Sequence, residues 1–393
     1  MTDNVEIYDT TLRDGEQAPG IHLSPEQKLR VARSLEEVGV DIIEAGFPIN
    51  GETEKKAIKM IVREVDDSEV AVLCRPIPEE IEMCQELLSK AAHSRLHLWI
   101  ATSPIHMKSK LRMTEDQVMK KLVNALRFSS GRFDTVQFTS EDSTRSNLKF
   151  LGKLMREAVR SGAEVVNVAD TLGCAIPDHM SILVEHIRRE IKDRVPVGVH
   201  CHNDLGLATA NSLAAIRSGA RHVDVTVTGI GERSGNAPLE QIAAILDFHQ
   251  RHIGVQHNLK MDRLGNLCDV VIKEMRLDIE VFHPLIGKNS FRHESGIHVH
   301  GMLNNPMTYE FLNPEQFGIK GGEFVIGKHT GKAAVRHFLE KNDLVVDDEE
   351  LGRLTEMIKE RTTYKGPFNS EKELIDFASL SGFDLIDKGG FGK

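Results

Sequence analysis

His200-Cys201-His202 is the segment whose residue types speak most directly of chemistry. In an extended chain, residues i and i+2 point to one face, so the two imidazoles can share a cation while Cys201 points away. An isolated pair of this kind is often no more than two satisfied polar histidines, so its surroundings must decide. Other polar residues recur along the chain with a similar look: Asp9, Arg13 and Asp14; Glu44; His97; Glu141 and Asp142; Asp170 and Thr171; Asn203 and Asp204; Glu232, Arg233 and Asn236. Histidines combined with Asp14 offer nitrogen and oxygen ligands without thiolate. That set suits Mg²⁺, Mn²⁺, Zn²⁺ or Fe²⁺.

These residues need elements to position them. Short β-branched runs alternate eight times with longer amphipathic stretches. Strands are expected near 5–9, 41–45, 70–74, 95–101, 134–138, 164–168, 196–200 and 222–227. Helices are expected near 25–38, 53–65, 79–90, 115–128, 147–160, 178–192, 206–218 and 238–252. Ser24-Pro25-Glu26-Gln27 and Thr114-Glu115-Asp116-Gln117 read as capping boxes, the first with proline at N1. Gly39, Gly162 and Gly219 stand where C-caps should fall. Eight strand–helix units in about 250 residues match a (β/α)8 TIM barrel in the α/β class. A doubly wound sheet is the competing architecture. After residue 254 the rhythm breaks. A helical stretch around Leu264–Met275, a Gly/His-rich segment over 283–303 and helices near 330–341, 347–361 and 370–380 complete the chain. The expected domains are therefore a catalytic barrel over 1–254 and a smaller, mostly helical C-terminal region over 255–393.

A barrel keeps its reactive groups at the C-terminal ends of its strands, and nearly every one of these polar residues falls at such an end. Amidohydrolase-type barrels also use H-x-H, but on the first strand, whereas here it lies on the seventh. Gly322–His329 nearly spells a P-loop, yet His329 stands where a hydroxyl must hold Mg²⁺. Gly229-Ile-Gly231 lacks the third glycine of a dinucleotide site. Trp99 reads as a core or barrel-lining aromatic, and Met113, Met119 and Met155 as packing residues. The run Asp347–Glu350 reads as the start of a solvated helix.

Composition narrows the class. The chain has 393 residues with 49 Lys+Arg against 59 Asp+Glu, a net charge of −10. An acidic pI near 6.0 argues against nucleic acid as the main partner. With 40% hydrophobic residues and a mean hydropathy of −0.26, the chain reads as an ordinary soluble protein. No apolar run approaches the ~18 residues of a spanning helix, and the acidic N-terminus lacks a signal-peptide pattern. Five cysteines without C-x-x-C argue for a reducing, cytoplasmic setting.

Several stretches together resemble the 2-isopropylmalate synthase/homocitrate synthase family of metal-dependent, acyl-CoA-condensing barrels. They are Asp9-Thr-Thr-Leu-Arg-Asp-Gly-Glu-Gln17, Glu44-Ala-Gly-Phe-Pro48, Ile100–Lys108, Asp170-Thr-Leu-Gly173, His200-Cys-His-Asn-Asp-Leu-Gly206, Gly229–Asn236, His293–His298 and Gly327-Lys-His-Thr-Gly331. The resemblance spans about 5–340. It implies that Asp14, His200, His202 and Asn236 are ligands of a divalent cation, Mg²⁺, Mn²⁺ or Zn²⁺. Acetyl-CoA would be co-substrate to a 2-oxo acid. Arg13 would stabilise charge on the keto oxygen, Thr171 would hold the substrate carboxylate, and Glu141 and Glu232 would be further active-site acids. His97 and Thr139 fall in the expected substrate pocket. His298 and Tyr309 match a pair supplied from the partner subunit, which implies a homodimer, and His298 is a candidate base. His300, Thr139-Ser140 and Cys174 depart from the commonest family residues. The chain also ends before a C-terminal regulatory domain, so insensitivity to leucine is expected.

The resemblance leaves the 2-oxo acid open. Ile100–Lys108 and Glu44–Pro48 look more like 2-isopropylmalate synthases, which use 2-oxoisovalerate in leucine biosynthesis. The short C-terminus and His293–His298 lean toward homocitrate synthases, which use 2-oxoglutarate. Citramalate synthases, using pyruvate, are a third option. A second substrate carboxylate would need a cation, for which Arg75 and Arg145 are the sequence's candidates. Hydroxymethylglutaryl-CoA lyases share the metal motif but use a catalytic cysteine in a glycine loop, and Gly229–Asn236 has none. A barrel that binds acyl-CoA without turnover is the alternative from another class.

Overall fold

The computed structural model describes residues 3–368, 370–383 and 386–387. Eight parallel strands close a barrel in chain order: β1 (Glu6–Asp9), β2 (Ile42–Gly46), β3 (Glu69–Cys74), β4 (Ser94–Ala101), β5 (Thr135–Glu141), β6 (Val165–Asp170), β7 (Val197–Cys201) and β8 (His222–Val225). β1 pairs with β8, Glu6 opposite His222, which completes the ring. The doubly wound alternative is thereby excluded. β2, β3, β6, β7 and β8 are β-branched-rich and buried almost throughout, as strands covered on both faces must be.

The helices between them are α1 (Pro25–Val38), α2 (Glu52–Ile61), α3 (Pro78–Leu88), α4 (Glu115–Ser129), α5 (Leu148–Arg160), α6 (Pro177–Ile191), α7 (Ala208–Arg217) and α8 (Leu239–Phe248). Both expected capping boxes form, at Ser24 and Thr114. Each satisfies two backbone donors that the first helical turn leaves without partners. The helix expected over 238–252 breaks at His249 and resumes as Gln250–Ile253, ending on Gly254 with φ 81°. β5 runs three residues past its expected end, because polar Thr139, Ser140 and Glu141 continue the strand toward the mouth.

Two compact units divide the chain after Asp278. The rhythm of the barrel ends near 254 as expected, but α9 (Leu264–Met275) stays with the first unit. It packs on α1, where Gln27 Nε2 donates to the Glu274 carbonyl at 3.0 Å and Arg30 pairs with the Glu274 carboxylate. The second unit, Ile279–Lys393, is mostly helical: α10 (Gly296–Asn304), α11 (Lys332–Lys341), α12 (Asp348–Lys365) and α13 (Glu371–Leu380). Its core gathers Val299, Val335, Phe338, Leu354, Ile358 and Leu374. The near-P-loop segment forms a two-residue strand, Glu323–Phe324, rather than a strand-to-helix turn. Among the described residues no helix is long and apolar enough to cross a membrane.

Candidate active site

The C-terminal mouth of the barrel opens into a cavity of about 360 Å³. Arg13, Asp14, His97, Thr139, Glu141, Thr171, His200, His202 and Glu232 all line it, so nine of the expected site residues converge there. Asn236 adjoins them, its Nδ2 donating to Asp14 Oδ1 at 2.9 Å. His298 and Tyr309 belong to the second unit. Their rings stack with centroids 4.0 Å apart, and the His293 ring lies 6.2 Å from that of His298.

The turn after β1 delivers Arg13 and Asp14. The N–H groups of Arg13, Asp14 and Gly15 all point at the Thr10 carbonyl, a tight wrap that places two successive side chains over the mouth. Arg13 Nε donates to Glu44 Oε2 at 2.6 Å, and Nη1 donates to Asp14 Oδ2 at 2.6 Å. Burial alone would push the carboxyls of Asp14 and Glu44 up. The Arg13 guanidinium, with the imidazoles beside each, holds both well below the usual carboxylate range.

β7 delivers the histidines as the alternation demands, with Cys201 buried behind them. His200 Nδ1 faces Asp224 Oδ2 at 3.2 Å, and His202 Nδ1 faces the Gly235 carbonyl at 3.1 Å. Both of those partners are acceptors, so the Nδ1 atoms carry the protons and the Nε2 atoms carry lone pairs. The Nε2 atoms face each other at 3.3 Å, and Asp14 Oδ2 stands 3.8 and 3.9 Å from them. Asn236 Oδ1 is buried with no protein partner. Two facing lone pairs, a carboxylate and an orphaned amide oxygen form a donor set that is incomplete without a positive centre, and a hard or borderline divalent cation fits it. The two histidines also differ. Burial opposes charge on His200, but Asp224 raises its pKa, whereas burial and the neighbouring His200 push His202 down to about 4. Glycine is required close by. A Cβ on Gly231 would collide with Asn236 Nδ2 and stand 2.8 Å from Asp14 Oδ1, and Gly235 has φ 85° with its carbonyl turned to His202.

The wall opposite is a buried hydrogen-bonded set. His97 Nδ1 lies 2.7 Å from Glu44 Oε1, which can only accept, and 2.9 Å from the Tyr8 hydroxyl. His97 Nε2 lies 2.6 Å from Thr139 Oγ1. Thr171 Oγ1 accepts from the Asp142 N–H at 2.8 Å, which leaves its own proton free for a ligand in the cavity. Asp170, at the end of β6, is turned to loop anchoring instead: its carboxylate accepts from the N–H groups of Cys174 and Ala175. Arg75 pairs with Glu80, and Arg145 with Asp142, so neither presents a free cation to the cavity. Sequence reasoning names Glu44 at a strand end without giving it a role, and it misses Asp224 altogether, although each holds members of the site. Asp224 falls on β8 two residues from inward-facing His222, which is the signal that could have found it.

A closed parallel barrel with a His/His/Asp group able to hold a metal ion at its mouth defines a TIM-barrel enzyme class whose reactive groups sit at the strand ends. The chain belongs to the HMGL-like family: that family's model matches residues 4–271, and a model for the homocitrate synthase post-HMGL domain matches 285–365. It is 41% identical to the 2-isopropylmalate synthase of Pyrococcus furiosus over 92% of this chain and 72% of that one. It is 42% identical to 2-isopropylmalate synthase 1 of Caldanaerobacter subterraneus, over 84% of each chain. A hydroxymethylglutaryl-CoA lyase from Pseudomonas aeruginosa shares the fold at a TM-score of 0.61 and 18% identity, covering 71% of this chain and 95% of that one.

Proposed function

We propose that the protein condenses acetyl-CoA with 2-oxoisovalerate and water, giving 2-isopropylmalate and CoA. The observation that carries this reading is the donor set of Asp14, His200, His202 and Asn236 beside a cavity whose cations are all engaged. Arg13 is bound by Asp14 and Glu44, Lys110 by Glu141, and Arg233 by Asp204. A substrate with a second carboxylate, such as 2-oxoglutarate, would find no free cation among these, whereas Leu73 and Ala169 line the cavity with apolar surface. The relatives named 2-isopropylmalate synthase support the same choice.

Asp14, His200, His202 and Asn236 would hold a divalent cation, which supplies Lewis-acid polarisation of the keto group. Arg13, locked from two sides, offers a fixed positive charge beside the developing alkoxide. The free Thr171 hydroxyl proton donates to the substrate carboxylate, and His97 and Thr139 shape the wall against its side chain. Glu141 and Glu232 are the acids of the mouth. His298, with Tyr309 stacked on it, is the candidate base for the acetyl methyl proton. Both are given to the partner subunit of a homodimer. The exposed apolar side chains nearby in sequence, Ile297 at 78% and Met307 at 78% exposure, support a face that a second copy covers. Five free cysteines support a reducing, cytoplasmic setting.

The test is free-thiol release from acetyl-CoA with 2-oxoisovalerate, 2-oxoglutarate and pyruvate, each with and without Mg²⁺ or Mn²⁺. Metal-dependent release with preference for 2-oxoisovalerate is expected. Preference for another acid would move the activity, and release with none would overturn the reading.

A further inference from the structure

The segment between β4 and α4 is built in a way that none of the proposed steps of the condensation uses. Ser103 Oγ caps its first turn, accepting from the His106 N–H at 3.3 Å. His106 Nδ1 lies 2.7 Å from Asp142 Oδ2, a carboxylate that Arg145 also grips, so the base of the segment is fixed to the end of β5. Met107 is buried beneath it. From there the chain widens into one π-helical turn, Met107–Leu111, closed by the N–H groups of Arg112 and Met113 on the Met107 carbonyl. Arg112 leaves the turn with φ 54°. An inserted residue of this kind rotates the side chains beyond it relative to an ordinary helix, and such turns recur at functional sites.

The consequence is the placement of Lys110. Its Nζ donates to both carboxylate oxygens of Glu141, at 2.6 and 2.9 Å, and stands 4.7 Å from the centroid of the Trp99 ring. Lys108, two residues earlier, is left exposed. Trp99 is set in register with Thr139, and Ala101 with Glu141, so neighbouring strand ends supply the ring and the carboxylate. Lys110, Trp99 and Glu141 line the same cavity. The Lys110 side chain is 43% exposed, and an ion pair so open to water adds little to folding. Stability therefore does not explain a π-turn, an anchored base and a three-point contact at the lip of the site.

We propose that Lys110 is a positioning residue for the condensation, holding the Glu141 carboxylate over the mouth while Trp99 serves as the platform on which the ammonium rests. This rests on the role given to Glu141 under the proposed function. Without Lys110 the Glu141 side chain swings freely, and a group displaced by about 1 Å from its acting position loses rate by about 100-fold. Binding of the 2-oxo acid, which falls to other residues, is left intact.

The experiment compares Lys110→Met and Lys110→Arg with the wild-type full chain. Lys110→Met should lower kcat by about 10–100-fold while the KM for the 2-oxo acid stays within about twofold. Lys110→Arg, which keeps the charge and its reach, should recover most of the rate. Trp99 is the single tryptophan of the chain, so its emission reports the clamp without turnover. Acrylamide quenching of that emission should rise in Lys110→Met and stay near wild type in Lys110→Arg. An unchanged kcat in Lys110→Met, or a change confined to KM, would overturn the role. Unchanged quenching would overturn the clamp itself. If the wild-type protein releases no thiol with any 2-oxo acid, the reaction falls, and quenching alone then decides whether Lys110 holds the lip.

Discussion

The two units solve the problem of placing reactive side chains in opposite ways. In the barrel, each key group is held from several sides before any ligand arrives. Arg13 is fixed by Glu44 and Asp14, and His97 by Glu44 and Thr139. In the second unit the β-ladders are two residues long, and the His298–Tyr309 pair stands on an exposed face, with Tyr309 44% exposed. Strand ends of a closed barrel give pre-organisation at once. A stacked pair on a surface helix and turn has no such enclosure of its own.

That contrast can be broken in order of effect. Asp14→Asn or His200→Ala removes a proposed ligand from a buried set and should raise the barrier by several kcal/mol, lowering kcat about a thousandfold in a thiol-release assay. A residual rate near wild type would detach the chemistry from the barrel mouth. His298→Ala should lower the rate strongly as well, but mixing that variant with His200→Ala should restore part of it, because a mixed dimer would hold one intact site if the proposed homodimer shares His298 between subunits. Absence of recovery after subunit exchange, shown by sedimentation or native mass spectrometry, would place the pair's action within its own chain. Asp224→Asn leaves the four proposed ligands in place and weakens the hold on His200, together with the contacts of Asp224 to Asn167 and His222. Metal affinity should fall about 10–100-fold, measured by calorimetric titration with Mn²⁺.

The remaining effects are on folding rather than rate. Lys28 is buried at 1% exposure, with its Nζ 2.6 Å from Glu16 and Glu54 and 2.9 Å from the Leu12 carbonyl, next to Arg13. Lys28→Met should destabilise the protein by about 1–3 kcal/mol, since it takes the shared cation from the partly buried carboxylates of Glu16 and Glu54. Arg336→Ala, which removes an exposed pair with Asp348 in the second unit, should change stability by about 0–1 kcal/mol. Urea denaturation of the two variants measures the difference, and equal losses would erase this part of the contrast.

Much of the barrel is legible in the sequence because its signals are local. Alternation places His200 and His202 on one face, and capping boxes fix the starts of α1 and α4. What stays hidden depends on closure. Glu44 reaches His97 across 53 residues, and Asp224 reaches His200 across 24, and no spacing in the sequence announces either meeting. The end of β5 is hidden by its own polarity, since Thr139, Ser140 and Glu141 interrupt the apolar run that marks a strand. The unit to which α9 belongs is hidden for a related reason. An amphipathic pattern shows that a helix buries one face, but not which unit receives it, and here Glu274 ties it to α1.

Asp14, His200, His202 and Asn236 are held to form one divalent-cation site in the barrel mouth, and the proposed chemistry stands or falls with it. The most direct measurement is titration of Mn²⁺ into the chelator-treated full chain and into Asp14→Asn, monitored by electron paramagnetic resonance of the free ion. One bound Mn²⁺ per chain in the wild type, and loss of that site in the variant, is the expected result. Wild-type binding that survives the substitution undiminished, or no binding at all, would contradict it.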